Sequence, residues 1–162
     1  MNYFIRDAKI EDISEIQNVA MITWNYTYEG IIPYEIQEQF LNFAYSIKSM
    51  EQRIRNSILL VGELNGKIIG FANFYFINVN KDAELGAIYI YPEWHGKGLG
   101  TELLREGLNR LVTPKRIFIN VEHKNEIGKN YYVAKGFKKI KEFEEFIGNN
   151  SLKMVRMVLE IE

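Results

Sequence analysis

The chain contains no cysteine, and it has only two histidines and three prolines. The lack of cysteine excludes disulfides, thiolate metal ligands and a cysteine nucleophile. The histidines, His95 and His123, show neither a His-x-x-His nor a His-Glu-x-x-His spacing. We therefore expect no metal site.

Strong net charge and long apolar runs are also lacking. The formal net charge is −1, which gives no electrostatic drive toward nucleic acid or an anionic membrane surface. No run approaches the roughly 18 apolar residues of a membrane span, and the N-terminus lacks the basic and apolar regions of a signal peptide. We expect a cytoplasmic protein whose single domain covers residues 1–162.

The most informative segment that is present contains Gly96, Gly98 and Gly100. It follows an apolar run that is typical of a buried strand and precedes a helix with regularly spaced leucines. Bare backbone N–H groups at a helix N-terminus favour an anion such as phosphate, and glycine lets a ligand approach the main chain closely. A Gly-rich turn without a ligand is the alternative, so the segment alone does not decide.

Hydrophobic periodicity predicts the order β-α-α-β-β-β-α-β-α-β-β, which is an α/β (α+β) domain. The first strand covers residues 3–6, and two helices cover 9–24 and 34–56, with an aromatic loop at 25–33 and a break near 46–49. The signals for the remaining elements place strands at 57–64, 67–79, 84–90, 116–121, 137–147 and 152–161, and helices at 101–112 and 125–135. Asn65-Gly66 marks a two-residue hairpin turn.

Two separated motifs in this order resemble the GNAT superfamily of acetyl-CoA-dependent N-acetyltransferases. The first, His95-Gly96-Lys97-Gly98-Leu99-Gly100, is similar to Gln/Arg-x-x-Gly-x-Gly/Ala with His in the first place. The second runs from Asn125 to Phe137 and is similar to Asn-x-x-Ala-x-x-x-Tyr-x-x-x-Gly-Phe, with Gly128 in place of Ala. The resemblance implies a GNAT fold, whose mixed, mostly antiparallel sheet splays between strands 4 and 5.

The resemblance also implies where acetyl-CoA, the cosubstrate, binds. The pantetheine arm would lie along Ile88, Tyr89 and Ile90, and the N–H near Ile90 would meet the thioester carbonyl. Asn125 would hydrogen-bond the coenzyme, although a plain helix N-cap is an alternative role. The pyrophosphate would lie on the loop and helix start formed by His95, Gly96, Lys97, Gly98, Leu99, Gly100 and Thr101. Replacement of Gln or Arg by His95 puts part of that contact in doubt.

For catalysis, the resemblance implies direct attack of an amine on the thioester in a ternary complex. Tyr132 matches the family tyrosine that lies near the leaving sulfur, where it would bind the coenzyme and protonate the thiolate. Glu84 lies at an offset where some members carry a general base. The alternatives are an aromatic core residue for Tyr132 and a solvated strand-end carboxylate for Glu84.

The acceptor is less constrained by the sequence. Trp24, Tyr28 and Glu29 offer aromatic faces and a carboxylate that suit an ammonium group, although they could be packing residues. This stretch and the C-terminal part look similar to bacterial polyamine N-acetyltransferases, and less so to phosphinothricin-type enzymes. We therefore expect a small-molecule primary amine, with a protein or peptide amine as an alternative and a homodimer left open.

Parts of the sequence also fit two other functions. A dinucleotide-binding module would use the three glycines with Glu122 at the end of the next strand, but the third glycine is one position early. A non-catalytic acetyl-CoA sensor would keep the fold without turnover, and only His95 supports it.

Overall fold

The computed structural model describes residues 2–161. Its seven strands are β1 (Phe4–Asp7), β2 (Ile58–Leu64), β3 (Lys67–Phe76), β4 (Asp82–Ile90), β5 (Arg116–Glu122), β6 (Lys138–Ile147) and β7 (Asn150–Glu160). Its five α-helices are α1 (Ile13–Tyr28), α2 (Tyr34–Ala44), α3 (Ile47–Asn56), α4 (Leu99–Arg110) and α5 (Glu126–Ala134). The predicted order of elements is confirmed.

The strands form one mixed sheet in the order β1-β2-β3-β4-β5-β7-β6. The β1–β2, β2–β3, β5–β7 and β6–β7 ladders are antiparallel, whereas β4 and β5 run parallel. The parallel ladder pairs Asp82–Glu84 with Arg116–Phe118, the first three residues of each strand. A ladder this short agrees with the predicted splay.

The chain divides into two compact units. The first unit contains residues 2–75 and Ala87–Val112. Its helix α1 buries Ile16, Val19 and Ala20 at helical spacing, as the hydrophobic pattern predicts. In α4, Gly107 faces the Phe74 ring so closely that any Cβ would overlap it, which fixes this helix against β3.

The second unit contains Phe76–Gly86 and residues 113–161. Its core is formed by alternate residues of β5, namely Ile117, Ile119 and Val121, together with buried residues of β7 such as Met157. Period-two alternation on β5 therefore directs one face of the strand inward. Outside β7, Phe137 adds a buried ring to this unit.

The largest difference from the sequence prediction lies at the end of α1. The aromatic segment predicted as a loop from residue 25 is helical through Tyr28, because no glycine or proline precedes Gly30, whose φ is +77°. The predicted break in the second helix is real, since the Ser46 hydroxyl accepts from the Ser49 N–H at 3.1 Å and starts α3. The hairpin turn is confirmed by the positive φ of Asn65 and Gly66, 53° and 78°.

Within residues 2–161, no helix combines the length and the apolar character that crossing a membrane requires.

Candidate active site

The glycine loop, residues 96–100, leads into α4 in the first unit. Gly96 and Gly98 have φ values of +72° and +93°, a left-handed conformation that favours glycine. Apart from the glycine itself and its two chain neighbours, no atom of residues 2–161 lies within 4 Å of a Cβ placed at either position, so the surface over the loop is open. No side chain of the described residues caps the start of α4 at Gly98. The loop thus presents backbone donors and the positive end of a helix dipole to open space.

Two contacts that the sequence did not predict involve Lys97 of this loop. The Tyr3 hydroxyl donates to the Lys97 carbonyl at 2.8 Å, across 94 residues of sequence. The Lys97 ammonium lies 4.9 Å from the Trp94 ring centroid, within the range of a cation–π contact. Only the folded chain brings Tyr3 here, so no local pattern could have identified it.

The end of β4 carries the predicted pantetheine residues Ile88, Tyr89 and Ile90, all half-buried. The Tyr91 N–H donates to the Ile69 carbonyl of β3 at 3.0 Å. Because successive backbone groups alternate between the two edges of a strand, the N–H and C=O of Ile90 point to the edge opposite β3. The Ile90 carbonyl lies 2.7 Å from His95 Nε2.

The predicted acceptor residues differ in their surroundings. Trp24 is buried, stacks on Phe40 with ring centroids 4.4 Å apart, and donates from Nε1 to the Tyr89 hydroxyl at 2.9 Å. It therefore links α1 and α2 to the end of β4. Tyr28 is half-buried against the Trp24 ring, and Glu29 is exposed just after α1. Of the three, Tyr28 and Glu29 are accessible to an acceptor molecule.

The loop after Tyr28 is held by Gln37, which the sequence did not single out. Its amide Nε2 donates to the Ile32 carbonyl at 2.9 Å and to the Tyr28 carbonyl at 3.4 Å. Gln37 is buried on α2, where a polar side chain requires such partners. The sequence shows only a glutamine in an amphipathic helix, and its burial becomes visible only in the folded chain.

In the second unit, Asn125 lies at the start of α5 and Tyr132 lies within this helix. The Asn125 carbonyl oxygen Oδ1 accepts from the Gly128 N–H at 2.9 Å, which is an N-cap. A Cβ at residue 128 would lie 2.7 Å from Asn125 Nδ2, so glycine at this motif position makes room for the cap. The Tyr132 ring is half-buried and edge-on to Phe137, with centroids 5.3 Å apart.

Glu84 lies near the start of β4 and is not a solvated strand-end carboxylate. It is 8% exposed, and its two oxygens accept from Arg156 of β7 at 2.7 and 2.8 Å. Arg156 also donates to Asn120 Oδ1 at 2.9 Å, and its guanidinium lies 4.7 Å from the Phe118 ring centroid. A bidentate pair of this kind fixes the orientation of the carboxylate.

Beside it, Asp82 forms a second bidentate pair with Arg116 at 2.9 and 2.7 Å. The Arg116 guanidinium, helped by a hydrogen bond from Asn78, lowers the pKa of Asp82 to about 2. Glu122, the residue of the dinucleotide alternative, is buried and accepts from the Lys124 N–H at 2.6 Å. Its carboxylate therefore stabilises the turn that follows β5. Across residues 2–161, no three His, Asp or Glu side chains are grouped as a metal site would need.

Comparison with known proteins identifies the family. The model of the acetyltransferase (GNAT) family matches residues 16–137. A spermidine N(1)-acetyltransferase of Thermoplasma acidophilum is 33% identical over 147 residues, which is 85% of this chain and 89% of that protein.

Solved structures give the same result. The PaiA N-acetyltransferase of Thermoplasma acidophilum, crystallised with coenzyme A, superposes with a TM-score of 0.84 at 25% identity, over 99% of this chain and 100% of that one. A putative acetyltransferase of Salmonella typhimurium with bound acetyl-CoA has the same fold, with a TM-score of 0.69 at 19% identity over 100% and 95% of the two chains. The chain belongs to the GNAT family and is an acetyl-CoA-dependent N-acetyltransferase.

Proposed function

We propose that this enzyme transfers the acetyl group of acetyl-CoA to a primary amine of a polyamine. The observation that carries this substrate class is the identity of 33% over 85% of the chain to a relative named as a spermidine acetyltransferase. A phosphinothricin-like amine and a peptide amine are the competing acceptors.

The charge distribution around α1 and α2 also supports a polycationic acceptor. Residues 10–47 contain six carboxylates and neither lysine nor arginine. Asp12 is neutralised by Arg6 at 2.7 Å, and Glu15 accepts a backbone N–H. The exposed carboxylates of this segment include Glu29, Glu35 and Glu38. A surface of one sign raises the local concentration of an oppositely charged substrate.

For acetyl-CoA, we propose that the pyrophosphate binds the backbone N–H groups of Gly96–Thr101, with Lys97 as a charge partner. The open surface over the loop and the uncapped start of α4 support this placement. The pantetheine arm would follow Ile88–Ile90, and Asn125 would contact the coenzyme through Nδ2 while Oδ1 keeps its role as N-cap.

The chemical step is a direct transfer. The amine nitrogen attacks the thioester carbon, the C–N bond forms, and the C–S bond breaks from the tetrahedral intermediate. The Ile90 N–H would stabilise the oxyanion, Glu84 would take the amine proton through water, and Tyr132 would protonate the thiolate. No cysteine exists to carry the acetyl group, so initial-rate patterns should intersect.

A thiol-release assay with acetyl-CoA tests the acceptor class. Spermidine, spermine, phosphinothricin, free amino acids and an alanine-terminated peptide are compared at equal concentration, and acetylated products are identified by mass spectrometry. We expect kcat/KM for spermidine to exceed that of the amino acids and the peptide by roughly 10²-fold, about 2.7 kcal/mol of transition-state binding. A preference for the peptide or for phosphinothricin would contradict the proposal.

Charge-neutralising variants test the same idea from the protein side. The combined Glu29→Gln, Glu35→Gln and Glu38→Gln variant should lower kcat/KM for spermidine roughly tenfold, with a weakened dependence on salt. Glu11→Gln, an exposed carboxylate before α1, is the matched control. An unchanged kcat/KM in the triple variant would show that these carboxylates do not attract the substrate.

We also propose that the chain acts as one catalytic domain, because the family match runs through residues of both compact units. The cytoplasmic location and the homodimer stay predictions.

A further inference from the structure

The His95 side chain is engaged on two sides within the first unit. Its Nε2 lies 2.7 Å from the Ile90 carbonyl oxygen, and its ring is edge-on to Tyr26 of α1 with centroids 6.0 Å apart. His95 directly precedes Gly96 and is half-buried. A single ring therefore contacts the end of β4 and α1 from the first position of the glycine motif.

The chemistry of this contact determines what His95 supplies. A carbonyl oxygen only accepts hydrogen bonds, so Nε2 must carry the hydrogen. Both the imidazolium and the neutral Nε2–H tautomer meet this requirement. The contact therefore needs a donor at this position rather than a charge. Glutamine and arginine, which the family motif places here, are also N–H donors.

The carbonyl that accepts this bond belongs to Ile90, the last residue of β4. The Tyr91 N–H continues the pairing with β3, so the Ile90 carbonyl points to the opposite edge, beyond the reach of the β3 ladder. The same residue supplies the N–H that we place at the thioester. Anchoring its carbonyl restricts rotation about the Ile90 backbone and ties the strand end to the start of the glycine loop.

We propose that His95 is a positioning residue, which fixes the glycine loop to the end of β4 and so sets the spacing of the two backbone segments that bind acetyl-CoA. The proposal rests on the placement of acetyl-CoA given under Proposed function. It assigns the ring's Nε2 to the protein backbone rather than to the pyrophosphate.

Three variants test it. His95→Leu removes the donor, His95→Gln retains an N–H donor, and His123→Leu changes the other histidine as a control. Calorimetric titration with acetyl-CoA should show a Kd raised roughly tenfold in His95→Leu, the size of one lost hydrogen bond. We expect His95→Gln to recover most of this loss and His123→Leu to bind as the wild type. In His95→Leu, the kcat reached at saturating acetyl-CoA should change less than the KM for acetyl-CoA. Wild-type binding in His95→Leu would overturn the proposal.

A second measurement needs neither activity nor a variant. Correlation of the ¹⁵N-labelled imidazole nitrogens with the ring protons distinguishes the two neutral tautomers in the wild-type chain. We expect His95 in the Nε2–H form, and a predominant Nδ1–H form would overturn the contact itself. If instead His95 is Nε2–H but Gly98→Val binds acetyl-CoA normally, the placement of the coenzyme is wrong and the positioning role falls with it.

Discussion

The two compact units offer different kinds of groups to the reaction. In the first unit, the candidate contacts to acetyl-CoA are main-chain groups of the glycine loop and the end of β4, shaped by Gly96 and Gly98 at positive φ. In the second unit, the candidate groups are the side chains of Tyr132, Asn125 and the Glu84–Arg156 pair. A substitution cannot remove a main-chain N–H group, although it can change the shape of the loop that carries it. A side-chain group can be removed by a single substitution. Substitutions that reshape the glycine loop should therefore change acetyl-CoA binding, and substitutions of Tyr132 or Glu84 should change turnover.

Gly98→Val should produce the largest effect. Valine at a φ of +93° is strained, and its branched side chain would occupy the open space over the loop. We expect the Kd for acetyl-CoA to rise by more than roughly 10²-fold, about 2.7 kcal/mol. Calorimetry measures it.

Gly66→Val is the matched control, because Gly66 also has a positive φ, +78°, with open space beyond, but lies in the β2–β3 turn. It should share the loss of thermal stability without the loss of binding. A folded Gly98→Val variant that binds acetyl-CoA normally would break the comparison.

Tyr132→Phe should lower kcat by roughly 10²-fold and leave the Kd for acetyl-CoA nearly unchanged. The ring keeps its packing on Phe137 but loses the hydroxyl that would protonate the thiolate. Steady-state kinetics with the preferred amine measures kcat, and Tyr131→Phe on the same helix is the control. Wild-type turnover in Tyr132→Phe would show that the Tyr132 hydroxyl does not protonate the thiolate.

Glu84→Gln tests whether the buried pair does more than join strands. If Glu84 relays the amine proton, kcat should fall roughly tenfold and the acidic limb of its pH profile should flatten. Arg156→Gln breaks the same pair but keeps the carboxylate, so it should cost similar stability and retain that limb. Equal pH profiles and equal losses in both variants would show that the pair is structural.

Asp82→Asn should have the smallest effect on activity, and it separates stability from catalysis in the second unit. Arg116 lowers the pKa of Asp82 from 3.8 to about 2. A carboxyl with a lowered folded-state pKa stabilises the fold above its ordinary pKa, and this stabilisation is lost as the pH falls from about 4 toward 2. Urea midpoints of the two proteins should therefore differ at pH 6 and converge toward pH 2. A constant difference would contradict the assignment.

The features that the sequence predicted well are those coded by the local backbone. Asn65-Gly66 predicted a turn because both residues adopt positive φ readily, and the glycine motif predicted a tight loop before a helix for the same reason. The α1 boundary was missed, since aromatic residues do not end a helix and the break is left to Gly30.

The contacts that the sequence could not provide join distant side chains. Glu84 meets Arg156 across 72 residues, and Tyr3 meets Lys97 across 94. Periodicity places a residue on a face but does not choose its partner. The sequence predicts Trp24 as an acceptor-binding residue, but its burial against Phe40 depends on the packing of α1 on α2.

NMR with ¹⁵N-glycine labelling examines whether backbone amides of the glycine loop bind coenzyme A. Titration with coenzyme A should shift the amide signals of Gly96, Gly98 and Gly100, while Gly66 and Gly148 in their hairpin turns stay unchanged. Saturable binding that leaves the three loop glycines unshifted would contradict the account.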